Sequence, residues 1–68
     1  MRLTQLVTDP FCQGKICPTV YATDRGTVVI QGDRVTEPTD VEVPEHEVLV
    51  EIPRSLVEEL VRSGALES

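Results

Sequence analysis

Apolar and polar positions alternate most clearly over Glu47–Ile52. Val48, Val50 and Ile52 fall on one face and Glu47 and Glu51 on the other, which predicts a strand. Leu49 sits on the acidic face and partly spoils the alternation. Beyond it, Leu56, Val57, Leu60 and Val61 repeat at i, i+1, i+4 and i+5, the apolar stripe of an amphipathic helix. Pro53 suits the first turn of that helix, where a missing N–H is harmless. Alternatively, Ser55 with Glu58 makes a capping box and starts it two residues later. Gly64 fits the C-terminal cap, and Glu58 with Arg62 forms an i,i+4 ion pair of favourable orientation.

In the first half, Thr19–Thr23 and Thr27–Gln31 are rich in β-branched residues and flank Asp24-Arg25-Gly26. This pattern predicts an antiparallel hairpin with a three-residue loop, Gly26 supplying the positive φ of a bulge. Residues 2–8 form a short strand or a frayed end, stopped by Asp9-Pro10. Residues 9–18 form a loop punctuated by Pro10, Gly14 and Pro18. Gly32-Asp33 interrupts the second hairpin strand, and Arg34-Val35-Thr36 continues in a new direction. Glu37-Pro38-Thr39-Asp40 is a turn, Asp40–Val43 alternates polar and apolar residues, and Pro44-Glu45-His46 breaks the alternation. Val28-Val29-Ile30 is apolar on both faces, so it is expected at the centre of a sheet or in an interface.

The elements add up to an α+β fold. A small antiparallel sheet of four or five short strands carries one C-terminal helix, whose Leu/Val stripe is expected to pack on Val48, Val50 and Ile52. The 68 residues form one domain, 1–68, with no repeat or linker. Phe11 and Tyr21, the only aromatic residues, are expected in the core. A chain of this length buries only about 60% of its unfolded surface. That disfavours an enzyme with a deep pocket and favours a homodimer, whose interface would extend the core.

Charge sharpens the picture. Residues 1–34 hold four bases and three acids, for a net of +1, whereas residues 35–68 hold two bases and nine acids, for a net of −7. Glu37, Asp40, Glu42, Glu45, Glu47 and Glu51 lie in a span without Lys or Arg. Such a surface repels phosphates, so nucleic acid and anionic membranes are disfavoured. It reads either as a solvated face that maintains solubility or as a surface that docks a basic partner. No stretch approaches the roughly 20 apolar residues of a membrane span. Met1–Gln5 lacks the apolar core of a signal peptide, which suggests a cytoplasmic protein without a membrane role.

Candidate chemistry is sparse. Cys12 and Cys17 are spaced C-x4-C, and three states stay open for them. Free thiols are expected in a reducing cytosol; a disulfide would close the loop; a metal site would need more ligands than two cysteines and the distant His46. Nothing places His46 beside either sulfur as a base, and it reads as an exposed turn residue. Asp9, Asp24 and Asp33 flank turn formers and are expected to bond nearby backbone. The glycines are scattered, so no phosphate loop exists. No catalytic, cofactor or metal residue is assigned, and no cofactor is expected. Arg25, at the hairpin tip, is the exposed base to watch.

The run Cys17-Pro18-Thr19-Val20-Tyr21-Ala22-Thr23-Asp24-Arg25-Gly26-Thr27-Val28-Val29-Ile30-Gln31-Gly32 resembles a small, functionally uncharacterised family of actinobacterial proteins reading CPT-x-Y-x-TDRGT-x-VVQG. The resemblance extends more loosely through Pro44–Glu47 to Val50–Pro53. A departure falls at Val29, where an aromatic followed by valine, as in GTYVVQG, is common. The family is similar to companions of small regulatory proteins, often encoded near helix-turn-helix regulators. The resemblance implies a cytosolic bacterial protein with a regulatory role and no catalytic residues. A weaker likeness joins Val50–Leu60 to the strand–Pro–helix element, V-x-I-P-x-x-L-x-x-x-L, of swapped-hairpin and ribbon-helix-helix DNA-binding folds. Glu47 and Glu51 stand where those folds usually carry bases, and the second helix of the ribbon-helix-helix form is missing.

The expectation is therefore a non-enzymatic protein-interaction module, an accessory partner of a bacterial transcription regulator. Its candidate surface is Asp24, Arg25 and Gly26 with Glu42, Glu45, Glu47 and Glu51. The alternative is a dimeric DNA-binding module of swapped-hairpin type.

Overall fold

The computed structural model describes residues 1–14 and 16–66. Along them the chain forms β1 (Leu3–Thr8), β2 (Thr19–Thr23), β3 (Val28–Gln31), β4 (Asp33–Arg34), β5 (Val50–Glu51) and α1 (Arg54–Ser63). The predicted hairpin is present, with β2 and β3 antiparallel and Ala22 opposite Val28. At its tip Gly26 has φ 78°, the left-handed conformation its loop requires. The tip is fastened by Thr23. Its N–H donates to Thr27 O at 2.9 Å, and its hydroxyl oxygen accepts from the N–H groups of Arg25 and Thr27, both at 3.1 Å. The hydroxyl of Thr23, rather than the Asp24 carboxylate, thus does the backbone bonding expected at this turn.

Residues 2–8 are not frayed. β1 pairs antiparallel with β2, giving a sheet of order β1-β2-β3. β2 is therefore the central strand, and the apolar β3 lies at an edge with Val28 and Ile30 exposed. The register slips between Gln5 and Val7, so Leu6 has no partner and β1 bulges there. In a regular strand Leu6 and Val7 would point to opposite faces. The bulge lets Val7 enter the core and Leu6 pack against it.

A second, two-stranded sheet pairs β4 with β5, Asp33 opposite Glu51 and Arg34 opposite Val50. The chain leaves the first sheet for the second at Gly32. A Cβ there would come within 2.6 Å of Ile52 Cγ2 and 2.8 Å of Glu51 O. Only hydrogen fits, and this close approach sets the change of direction.

Val7, Val20 and Leu56 are buried, Leu56 completely, with Leu6, Ile52, Leu60 and Ala65 half-buried around them. The helix lies on β1, not on the 47–52 segment. This corrects the expected packing. Leu56 and Leu60 face the sheet, whereas Val57 is exposed and Val61 is 76% exposed. Of Val48, Val50 and Ile52, only Ile52 reaches the core, while the off-pattern Leu49 is half-buried. The segment pairs only with the two-residue β4, so its alternation has no second layer to face.

Other expectations also change. Phe11 is 78% exposed, because the 9–18 loop stands outside the sheet. Tyr21 is half-buried. It lies opposite Gln5 and Val29, on the face away from Val20, and its hydroxyl donates to Gln31 Oε1 at 2.9 Å. Pro53 occupies the N-cap position with extended φ −64° and ψ 145°, and helical geometry starts at Arg54. No capping box forms, since the Ser55 hydroxyl bonds elsewhere. Gly64 closes the helix as expected, its N–H donating to Val61 O at 3.2 Å. Arg62 pairs with Glu59 instead of Glu58, its Nε donating to Oε1 at 3.0 Å. The hydrogen bond first, and the carboxylate charge second, hold the Arg62 pKa above its usual value.

Thermal unfolding distinguishes the two glycine requirements. Gly26→Val should cost about 1–2 kcal/mol through backbone strain alone, since nothing lies within 4 Å of a Cβ there. Gly32→Ala should cost about 1–3 kcal/mol by overpacking against Ile52 and Glu51. An unchanged melting temperature for either variant contradicts the corresponding assignment.

Candidate protein-interaction surface

Three irregular regions surround the sheet. The first is the 9–18 loop. Asp9 N–H donates to Pro18 O at 3.0 Å and the Thr8 hydroxyl to the same oxygen at 3.3 Å, which closes the loop base. Inside it Cys12 and Cys17 form a disulfide across a Cα–Cα separation of 5.8 Å. The bond overturns the free-thiol expectation, and with both sulfurs joined neither is available as a nucleophile.

The same loop is tied to the helix. Asp9 is buried, and its Oδ1 accepts from the Ser55 hydroxyl at 2.6 Å and from Phe11 N–H at 3.4 Å. The bond to Phe11 is the local turn bond expected of an Asp before proline. The bond to Ser55 spans 46 positions and could not be found from sequence.

The second region is the hairpin tip, where Asp24, Arg25 and Gly26 are all exposed. The third is the segment between β4 and β5. Its ends meet at a neck, where Arg34 opposes Val50 and Val35 N–H donates to Leu49 O at 3.0 Å. Internal bonds shape it: Glu47 N–H donates to Pro44 O at 3.0 Å, Val41 N–H to Thr39 Oγ1 at 3.2 Å, and the Thr39 hydroxyl to Val41 O at 3.3 Å. Glu42, Glu45 and Glu47 are exposed on this loop, as is Glu51 on β5. His46 lies beside Glu47, its Nε2 3.8 Å from the carboxylate. Val35, Val43, Val48 and Leu49, with Arg34, Glu37 and Glu47, line a wide, open cleft of about 430 Å³.

The seven candidate residues thus fall on two surfaces. The tip precedes β3 and the acidic loop follows β4, so the length of a four-residue strand, about 13 Å, separates them. The bases are divided in the same way, with Arg2, which precedes Leu3 opposite Thr23, at the end of the sheet that carries Arg25. Arg25 lies before β3 and Arg34 beyond its other end; Lys15 lies outside the described residues. One like-charge pair stands out: Asp33 and Glu51, both exposed, sit directly opposite each other in the β4–β5 ladder, an arrangement that destabilises it.

No family model, curated protein or solved structure matches the chain. No described helix is long and apolar enough to cross a membrane.

Two measurements test the loop. Thiol titration of the unreduced protein should find no free cysteine, and the Cys12→Ser/Cys17→Ser variant should lose about 2 kcal/mol on chain-entropy grounds. Asp9→Ala should cost about 1–3 kcal/mol, because it strands buried hydrogen-bonding groups. A double-mutant cycle with Ser55→Ala should show coupling of at least about 0.5 kcal/mol; additive losses would mean that the two side chains do not interact.

Proposed function

We propose that the chain is a small non-enzymatic protein-interaction module, an accessory partner of a bacterial transcription regulator. One observation carries the interaction reading: apolar side chains are left outside. Among the described residues three hydrophobics are buried, against thirteen large ones exposed. Single exposed apolar residues are ordinary, but a surplus on this scale beside so small a core fits a surface that is covered in use. Val41, Val43 and Val48 stand among acids on the β4–β5 loop, which favours a basic protein as partner. The regulatory assignment rests on the resemblance of residues 17–32 to the actinobacterial family. A homodimer is compatible with the exposed Val28 and Ile30 on edge strand β3.

The DNA-binding alternative keeps the strand–Pro–helix element, β5–Pro53–α1. Against it stand the separation of Arg25 from Arg34 and the acids on the loop that precedes β5. The module is placed in the cytoplasm, where thiol reductants would oppose the Cys12–Cys17 bond, so binding should be measured with and without reductant.

Pull-down of the tagged protein from an extract of its own cells at low salt, followed by mass spectrometry, tests the reading. A specific protein partner, released at about 0.5 M salt where surface charge is screened, is the expected result. Finding none, or a low-salt gel shift of duplex DNA by the protein alone, sinks it.

A further inference from the structure

We infer that the cleft at the neck of the β4–β5 loop seats an apolar side chain from a basic segment of a partner protein. The inference rests on the interaction reading and assigns it a site and a partner chemistry. Val35, Val43, Val48 and Leu49 supply the apolar half of the cleft's lining, and Arg34, Thr36, Thr39, Glu37 and Glu47 supply the polar half. Its volume, about 430 Å³, falls within the roughly 300–1,000 Å³ of clefts that hold ligands. Val48 is 60% exposed although it lines this space, so apolar surface is ready to be covered.

Charge selects the occupant. Arg34 is the one base on the cleft wall, and the segment from Val35 to Glu51 carries six acids and no other Lys or Arg. A second copy would bring the same acids and a net charge of −6. Phosphate surfaces are repelled outright. A Lys- or Arg-rich segment with a Leu or Val at its centre satisfies both the apolar lining and the surrounding charge.

The test uses the full chain and a fluorescent peptide with a leucine–valine centre flanked by lysines. Two further peptides replace the centre by serines or the lysines by glutamates. The expected result is binding of the first peptide alone, weakened at least about tenfold by Glu37→Lys/Glu47→Lys and several-fold by Val48→Ser. Amide shifts in an NMR titration should centre on residues 35–49. Asp24→Lys, at the hairpin tip, should bind as the parent does, and circular dichroism should confirm that each variant folds. Equal binding of the serine peptide, no binding, or indifference to the cleft variants overturns the proposal. The pull-down separates the two readings. A partner retained by the cleft variants but lost on Arg25→Ala would preserve the interaction module and dismiss the cleft.

Discussion

Leu56 resting on the Val7–Val20 pair is the contact on which this fold depends. Among the described residues it is the only fully sealed meeting of helix and sheet, and Leu6, Ile52, Leu60 and Ala65 gather around it. A fully buried leucine contributes about 1.5–3 kcal/mol relative to an exposed one, a large share of the margin available to so small a domain. Everything else that holds the helix in place can be understood as support for that contact. Pro53 directs the chain into the helix just after Ile52 has joined the core. The Asp9–Ser55 bond then fixes the first turn against the end of β1, one residue before Leu56.

The bulge at Leu6 and the close approach at Gly32 serve the same end. Both break a regular rule of strands. The bulge lets consecutive residues of β1 contribute to one side, which enlarges a core that strict alternation would starve. Gly32 lets the chain turn from β3 into β4 with Ile52 packed against its backbone. Placing a side chain there would displace Ile52, one of the few residues that link the second sheet to the core.

The parts that were legible in the sequence are those decided locally. The β2–β3 hairpin follows from its β-branched strands and Gly26, and the helix from its period and Gly64. What escaped was decided at long range. β1 gains its partner only through β2, and Asp9 finds Ser55 across most of the chain. Glu47–Ile52 was over-read because alternation states that a strand has two faces, not that a layer exists to cover one of them. The apolar stripe of the helix was over-read for the same reason, since Val57 and Val61 match the period but lie beyond the width of the sheet contact. Phe11 was expected inside on scarcity alone, a weaker argument than the loop bonds that hold it out. The disulfide escapes because cysteine spacing does not say how the 9–18 loop folds, and only that fold brings the two Cα atoms within 5.8 Å. Of the candidate surface, exposure was legible; its division between the two ends of β3 was not.

That division bears on function. The hairpin tip is tightly bonded through Thr23 and Thr27 and presents little apolar surface of its own. The β4–β5 loop is the reverse: pinned at its neck, sparsely bonded within, and carrying valines among acids. Hydrophobic burial is not directional, so exposed valines alone would accept many partners, including other copies of the chain. Acids beside them bias that choice, since like charges facing each other across a contact disfavour an acidic partner. If the loop docks a partner as proposed, the acids among its valines, part of the net −7 of residues 35–68, would favour a basic surface over an acidic one.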